Sequence, residues 1–197
     1  MPFAIADLAS SPWKNGGGET REIVCQPVGA GTDAFGWRVS IATIERDGAF
    51  SIFAGVDRIT VLLRGAGVRL RSADSRIDHR LDAPLTPFAF AGEIAIEAEL
   101  LDGACQDVNV MTRRSDWRSD VHVIRHTQVL ATADQGVLLA VDGDWTAADA
   151  TANFQLSVGC GLWWQGQPRT WSLQPSGNRA TLLAIVIDAI DREEGLA

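Results

Sequence analysis

Trp37-Arg38-Val39-Ser40-Ile41-Ala42-Thr43-Ile44 decides the class of fold. Successive side chains of an extended chain point to opposite faces, so Trp37, Val39 and Ile41 share one face and Arg38, Ser40 and Ala42 the other. β-Branched and aromatic residues fill the run, as they fill partly buried strands. Residues 94–100 alternate in the same way, with Glu97 and Glu99 opposite Ile94, Ile96, Ala98 and Leu100. Between the two, residues 59–63 and 68–70 flank Arg64-Gly65-Ala66-Gly67, which reads as the turn of a hairpin.

The style continues to the end of the chain. Strands are expected over residues 121–124, 127–131, 137–141, 162–164, 170–173 and 180–187, with Gly136, Gly143, Gly159, Gly161, Gly166 and Gly177 as punctuation. A helical period is faint and confined to residues 116–120 and the C-terminus. Many short, evenly spaced strands make an all-β sandwich or small barrel. Two groups of similar size meet near residues 113–119, which reads as two units, 1–115 and 116–197, packed into one body. Trp163 and Trp164 are neighbours on an expected strand, so they take opposite faces and at least one belongs to a core.

The 197 residues, 46% of them hydrophobic, suffice for one large domain or two small ones packed together. No apolar run approaches the ~18 residues of a membrane span. The opening residues lack a basic segment followed by an apolar one, so a cytoplasmic protein with no membrane partner is expected. A net charge of -8 opposes binding to phosphate backbones, and nucleic acid is not an expected partner. Cys25, Cys105 and Cys160 lie far apart without a C-x-x-C pair, which fits buried thiols in a reducing compartment.

Of 17 basic residues, 16 are arginine and one, Lys14, is lysine. A compact ammonium differs from a planar guanidinium in size, hydration and ease of deprotonation, so a lone lysine suggests a position where the difference matters. It sits in Trp13-Lys14-Asn15-Gly16-Gly17-Gly18. Consecutive glycines suit backbone that takes positive φ or approaches something closely. An aromatic face, an ammonium and an amide beside them are the means to hold a small polar molecule. A glycine-rich entry into the next strand explains the glycines alone. The segment lacks the spacing of a P-loop or a dinucleotide fingerprint, and no G-x-S-x-G elbow occurs elsewhere.

Two further clusters carry polar chemistry. Around Asp47-Gly48, Phe50, Ile52 and Phe53 read as core, while Arg38 and Arg58 flank the same region and either can meet a carboxylate in a fork. Asp57-Arg58 also reads as a simple surface pair. In Asp107-Val108-Asn109-Val110-Met111-Thr112, Asp107, Asn109 and Met111 share a face, which fits a polar barrel interior or solvent. The histidines His79, His122 and His126 have no carboxylate at ligand spacing, so no metal or other cofactor is expected.

Three segments together resemble the HutD/Ves family: Pro12 to Gly18 with Thr20, Glu22 and Ile23; Gly36 to Ala42 continuing through Asp47-Gly48, Phe50-Ser51, Phe53, Gly55 and Asp57-Arg58; and Asp107 to Met111 with Arg113-Arg114. The resemblance implies a cupin-like fold of two packed β-barrel units without the histidine-rich metal motif of enzymatic cupins. It also implies a regulator in histidine utilisation that binds an intermediate such as N-formylglutamate or urocanate. The expected ligand-binding set is Trp13, Lys14, Asn15, Gly16, Arg38, Ser40, Phe50, Phe53, Arg58, Asp107, Asn109 and Met111, holding a small anionic metabolite, with no catalytic residue. The alternative is a metal-free isomerase or lyase with Asp47, Asp57 or Asp107 as base and Lys14 as acid. A scaffold acting through an apolar patch near Trp163-Trp164 is the third reading. Edge strands suit a homodimer.

Overall fold

The computed structural model describes residues 1–190, and its strands form four antiparallel sheets. The earlier half contributes a six-stranded sheet in the order Ser10–Pro12, Gly18–Gln26, Trp37–Ile44, Cys105–Arg113, Val56–Arg64, Pro87–Ala91. Its four-stranded companion runs Gly48–Ala49, Ile96–Leu100, Val68–Ser72, Asp78–Leu81. The later half repeats the scheme with a five-stranded sheet, Pro2–Ala4, Cys160–Trp164, Gln135–Asp142, Thr181–Ala189, Trp117–Ile124. Its companion runs Gln128–Ala133, Arg169–Pro175, Trp145–Ala148, Asn153–Leu156. Among the described residues helix is limited to one turn at Gly31–Ala34 and a 3-10 turn at Ile5–Asp7, and no helix is long and apolar enough to cross a membrane.

The alternation in Trp37–Ile44 gives the strand two buried faces rather than one. Val39 and Ile41 join Val61, Val108 and Val110 on the outer face of the six-stranded sheet and pack against Val137, Leu139, Leu183, Ile185 and Ile187 of the five-stranded sheet. The two halves therefore meet sheet on sheet through a β-branched core. Trp37 adds a polar tie to this contact: its indole N–H donates to Gln135 Oε1 at 2.7 Å. Arg38, Ser40 and Ala42 point the other way, into the space between the six-stranded sheet and its companion. The interior of the later half is built around Leu138, Trp145, Trp164, Trp171, Leu182 and Ala184. Trp164 lies in that interior and Trp163 packs on the opposite side, against the core between the halves.

The structure corrects two expectations. The segments flanking Arg64-Gly65-Ala66-Gly67 do not pair with each other: Val56–Arg64 belongs to the six-stranded sheet and Val68–Ser72 to its companion. The glycines serve a crossing between sheets, where Gly67 takes φ +89 and passes so close to Leu81 that a Cβ would lie 1.9 Å from its carbonyl oxygen. The faint helical period at 116–120 is strand, because Trp117–Ile124 pairs along its whole length with Thr181–Ala189. The helical period expected at the C-terminus extends beyond the described residues. The first strand joins the sheet of the later half, where Pro2–Ala4 pairs with residues 160–162.

Gly67→Ala tests the crossing. Positive φ and the blocked Cβ act together, so the variant should lose about 2 to 4 kcal/mol of unfolding free energy, read from its urea midpoint. A midpoint unchanged from the native protein would show that the backbone relaxes at no cost.

Candidate functional site

The inner face of the six-stranded sheet carries a polar row. Register places Ser40, Asn109 and Thr60 side by side, with Ala42, Asp107 and Leu62 in the row on one side and Arg38, Met111 and Arg58 in the row on the other. Residues two apart on a strand share a face, so these nine side chains line one wall. Asp107 is 0% exposed and accepts hydrogen bonds from the Thr60 hydroxyl at 2.5 Å and the Asn109 amide at 3.1 Å. Asn109 in turn accepts from Arg58 Nη2 at 2.6 Å. A continuous chain runs Arg58, Asn109, Asp107, Thr60.

Arg58 is 7% exposed, a rare state for a guanidinium. Three aromatic rings surround it, with centroids 4.9 Å (Phe90), 5.2 Å (Phe50) and 5.8 Å (Phe53) from Cζ. Their faces attract the cation, and the Ser51 carbonyl accepts from Nη1 at a long 3.3 Å. Its Nε–H is buried with no acceptor among the described residues. Burial pulls the Arg58 pKa down to about 10, which Asp107 opposes and nearby Arg38 reinforces. Burial pushes Asp107 up to about 6, against the pull of the Thr60 hydrogen bond, the Arg58 charge and the Asn109 amide.

Arg38 faces the same space and donates through Nε to Glu22 at 2.7 Å. Glu22 stands opposite Ser40, yet its side chain is 48% exposed, so the inner face opens to solvent beside this pair. A groove of about 390 Å3 lies on the opposite side of the sheet from the polar row, along Asp57, Ile59, Ala89, Ala91 and Thr112 and beside Arg118 and Ser119 of the following strand. Met111 closes the wall in a small apolar group with Cys25, Phe35 and Val56, against which Phe53 packs.

The Trp13 segment divides. The Trp13 indole donates to Thr20 Oγ1 at 2.7 Å, and Thr20 lies opposite Ala42, so the ring reaches the row that holds Asp107. Asn15 and Gly16 form the turn itself: Asn15 Oδ1 accepts from the Gly17 N–H at 3.0 Å, and Gly16 takes φ +69. The close backbone approach is made by Gly18, where a Cβ would lie 2.1 Å from the Thr43 carbonyl oxygen. The triple glycine thus serves the neighbouring strand. Lys14 is exposed and makes no hydrogen bond or ion pair among the described residues.

The candidate bases also separate. Asp47 accepts from the Leu100 N–H at 2.7 Å and Asp57 from Arg114 Nε at 2.7 Å, both away from the polar row. Asp57 and Arg58, adjacent on a strand, point to opposite faces. Thr60, Glu22 and Phe90 complete the cluster and were not among the expected site residues. Arg58 and Thr60 repeat the spacing of Arg38 and Ser40, a signal visible only once the two strands are known to flank Asp107–Met111. His79 stacks on Phe88 with ring centroids 3.8 Å apart, and His122 and His126 are exposed.

Two pairs of facing antiparallel sheets with a polar interior in one pair define a cupin-like β protein. A cupin 2 conserved barrel domain protein from Leptotrichia buccalis shares the fold, with TM-score 0.60 and 9% identity, covering 95% of this chain and 96% of that one. The HutD family profile matches residues 5–183, and the chain belongs to the HutD family. It is 35% identical to protein Ves of Escherichia fergusonii over 176 residues, 89% of this chain and 88% of that protein. A conserved protein of unknown function from Pseudomonas aeruginosa PAO1 matches with TM-score 0.84 and 32% identity, covering 95% of this chain and 98% of that one. HutD from Pseudomonas fluorescens SBW25 matches with TM-score 0.79 and 27% identity, covering 97% and 99%.

The raised Asp107 value sets a sign for stability. Between the ordinary carboxyl pKa and about 6 the folded protein keeps a proton that the unfolded chain has released, so this group's contribution is full in acid and declines as pH rises through that window. Unfolding free energy from pH 4 to 7 should therefore fall by up to about 3 kcal/mol more in the native protein than in Asp107→Asn. Parallel pH profiles for the two would show that Asp107 titrates like an exposed carboxylate.

Proposed function

We propose that the polar interior of the earlier barrel, the first of two cupin units divided near residue 115, binds a small carboxylate metabolite and releases it unchanged. The observation that carries this reading is the buried Arg58 with an N–H donor that has no acceptor among the described residues. A buried donor without an acceptor is costly, and a carboxylate is the natural partner of a guanidinium edge. Arg38 supplies a second cation beside it, and Phe50, Phe53, Phe90 and Trp13 supply apolar walls. The family is linked to histidine utilisation, which makes N-formylglutamate and urocanate the first ligands to try and a regulatory role the reading for the protein as a whole. Its P. fluorescens member was solved in a formate condition, and formate, the smallest carboxylate, is a suitable competitor.

The rival reading is a metal-free isomerase or lyase in which Asp107 acts as base. A carboxyl pKa of about 6 suits general base work. Against it, both Asp107 oxygens already accept hydrogen bonds inside a group with no exposed surface, and Lys14, the proposed acid, stands in solvent. Incubation of each ligand with the protein, followed by NMR of the small molecule, separates the readings: recovery unchanged supports binding, and conversion that disappears in Asp107→Asn replaces it with catalysis.

Calorimetric titration with N-formylglutamate, urocanate and histidine should give saturable heat with at least one of the first two, competed by formate. Arg38→Gln should weaken that binding by tenfold or more, about 1.4 kcal/mol, while its unfolding midpoint falls little because Glu22, the carboxylate left without its partner, is 48% exposed and stays hydrated. Affinity should be higher at pH 5.5 than at 7.5, since a neutral Asp107 no longer competes for Arg58. Silence from all three compounds at millimolar concentration would overturn the named ligands.

A further inference from the structure

The later barrel holds a second cavity, unrelated to the polar row. It is open to solvent, measures about 210 Å3, and is walled by Phe154, Leu162, Trp164 and Trp171, with Arg169 and Gln165 at its polar side. Drug-sized pockets begin near ~300 Å3, so the space suits a small metabolite. Its rings are arranged edge to face: Trp164 and Trp171 at 5.5 Å and 62°, Phe154 and Trp171 at 6.1 Å and 60°. The rings pack directly on one another, so a planar guest would lie in the slot against the wall they form, not between them.

Two polar features give the slot a direction. The Trp164 indole N–H is satisfied by the Ala133 carbonyl at 3.0 Å, whereas the Trp171 indole N–H is buried and has no acceptor among the described residues. Indole offers only a donor, so the missing partner must be an acceptor. Arg169 places its guanidinium 5.8 Å from the Trp171 ring and is held there by an ion pair to Asp149. Asp149 is itself fixed, its side chain 6% exposed, with one oxygen accepting from the Thr151 N–H and hydroxyl and from the Ala152 N–H. The Arg169 contact to Asp149 goes through Nη1, which leaves the rest of the guanidinium without a partner among the described residues.

We propose that this cavity is a second ligand site, taking a small planar aromatic or heteroaromatic carboxylate whose ring lies against the wall formed by Phe154, Trp164 and Trp171 and whose oxygens meet the Trp171 indole N–H and Arg169. The geometry alone supports it, and it does not depend on the function assigned to the earlier barrel.

Benzoate is the probe and acetate the control. Titrated into the whole chain labelled with 15N, benzoate should shift the Trp171 indole N–H resonance, identified by its loss in Trp171→Phe, and saturate in the millimolar range or below. Acetate at the same concentrations should shift it at least tenfold less. Trp171→Phe and Arg169→Gln should each weaken benzoate binding at this cavity by fivefold or more, read from the resonance of Trp164. Arg38→Gln should leave it unchanged. No shift at 20 mM benzoate, or an undiminished response in both Trp171→Phe and Arg169→Gln, would overturn the proposal. If Arg169→Gln does not fold, Trp171→Phe, which removes the donor and keeps a ring, decides alone. Loss of the response in Arg38→Gln would move the benzoate to the earlier barrel and overturn the second site.

Discussion

Cys105–Arg113 is the strand on which both the site and the packing of the two halves rest, because it is buried on both faces. Val108 and Val110 belong to the core between the halves, and Asp107, Asn109 and Met111 face the barrel interior. A slip of one residue would exchange these sets, driving a carboxylate into a β-branched core and valines into a polar cavity. Register is therefore fixed by penalties of opposite kind on the two faces. The neighbouring strands Trp37–Ile44 and Val56–Arg64 carry the same division, which is how two arginines, one carboxylate and one amide from three strands come to share one wall.

The two barrels answer the same fold with different interiors. The later one is filled with tryptophan and aliphatic side chains and supplies stability through burial. The earlier one gives up part of that burial to hold Arg58 and Asp107, groups that persist inside only because hydrogen bonds and aromatic faces compensate for lost water. The compensation is incomplete: one arginine donor stays orphaned and the Asp107 carboxyl is easier to protonate than an ordinary one. Incomplete compensation within an otherwise satisfied interior is what distinguishes a place prepared for a guest from a closed core.

The fold was legible where alternation was strong. Trp37–Ile44 and the run Asp107 to Met111 announce strands, and the residues expected on their polar faces are those found in the interior. What alternation cannot tell is whether a polar face meets solvent or a cavity, since Glu97 and Arg38 follow the same pattern with opposite outcomes. The glycines at 65 and 67 suggest a hairpin in the sequence because a sheet crossing and a tight turn ask for the same positive φ. Lys14 drew attention by composition, which carries no information about position. Trp13, its neighbour, reaches the inner face through a bond to Thr20 that no spacing would suggest. Thr60 and Phe90 entered the site through pairing with distant strands, which short-range patterns do not encode.

The order of the six-stranded sheet bears on how the chain acquires its structure. Cys105–Arg113 lies between Trp37–Ile44 and Val56–Arg64, both made well before it. Until the later segment arrives, each earlier strand has an open edge where that partner will lie, and their polar and apolar faces lack the neighbours that stabilise them. Assembly of the first barrel thus waits on a long-range closure, the kind that slows folding and exposes unpaired edges to other chains. On a ribosome, these two edges stay unpaired through the interval between synthesis of residue 64 and of residue 113.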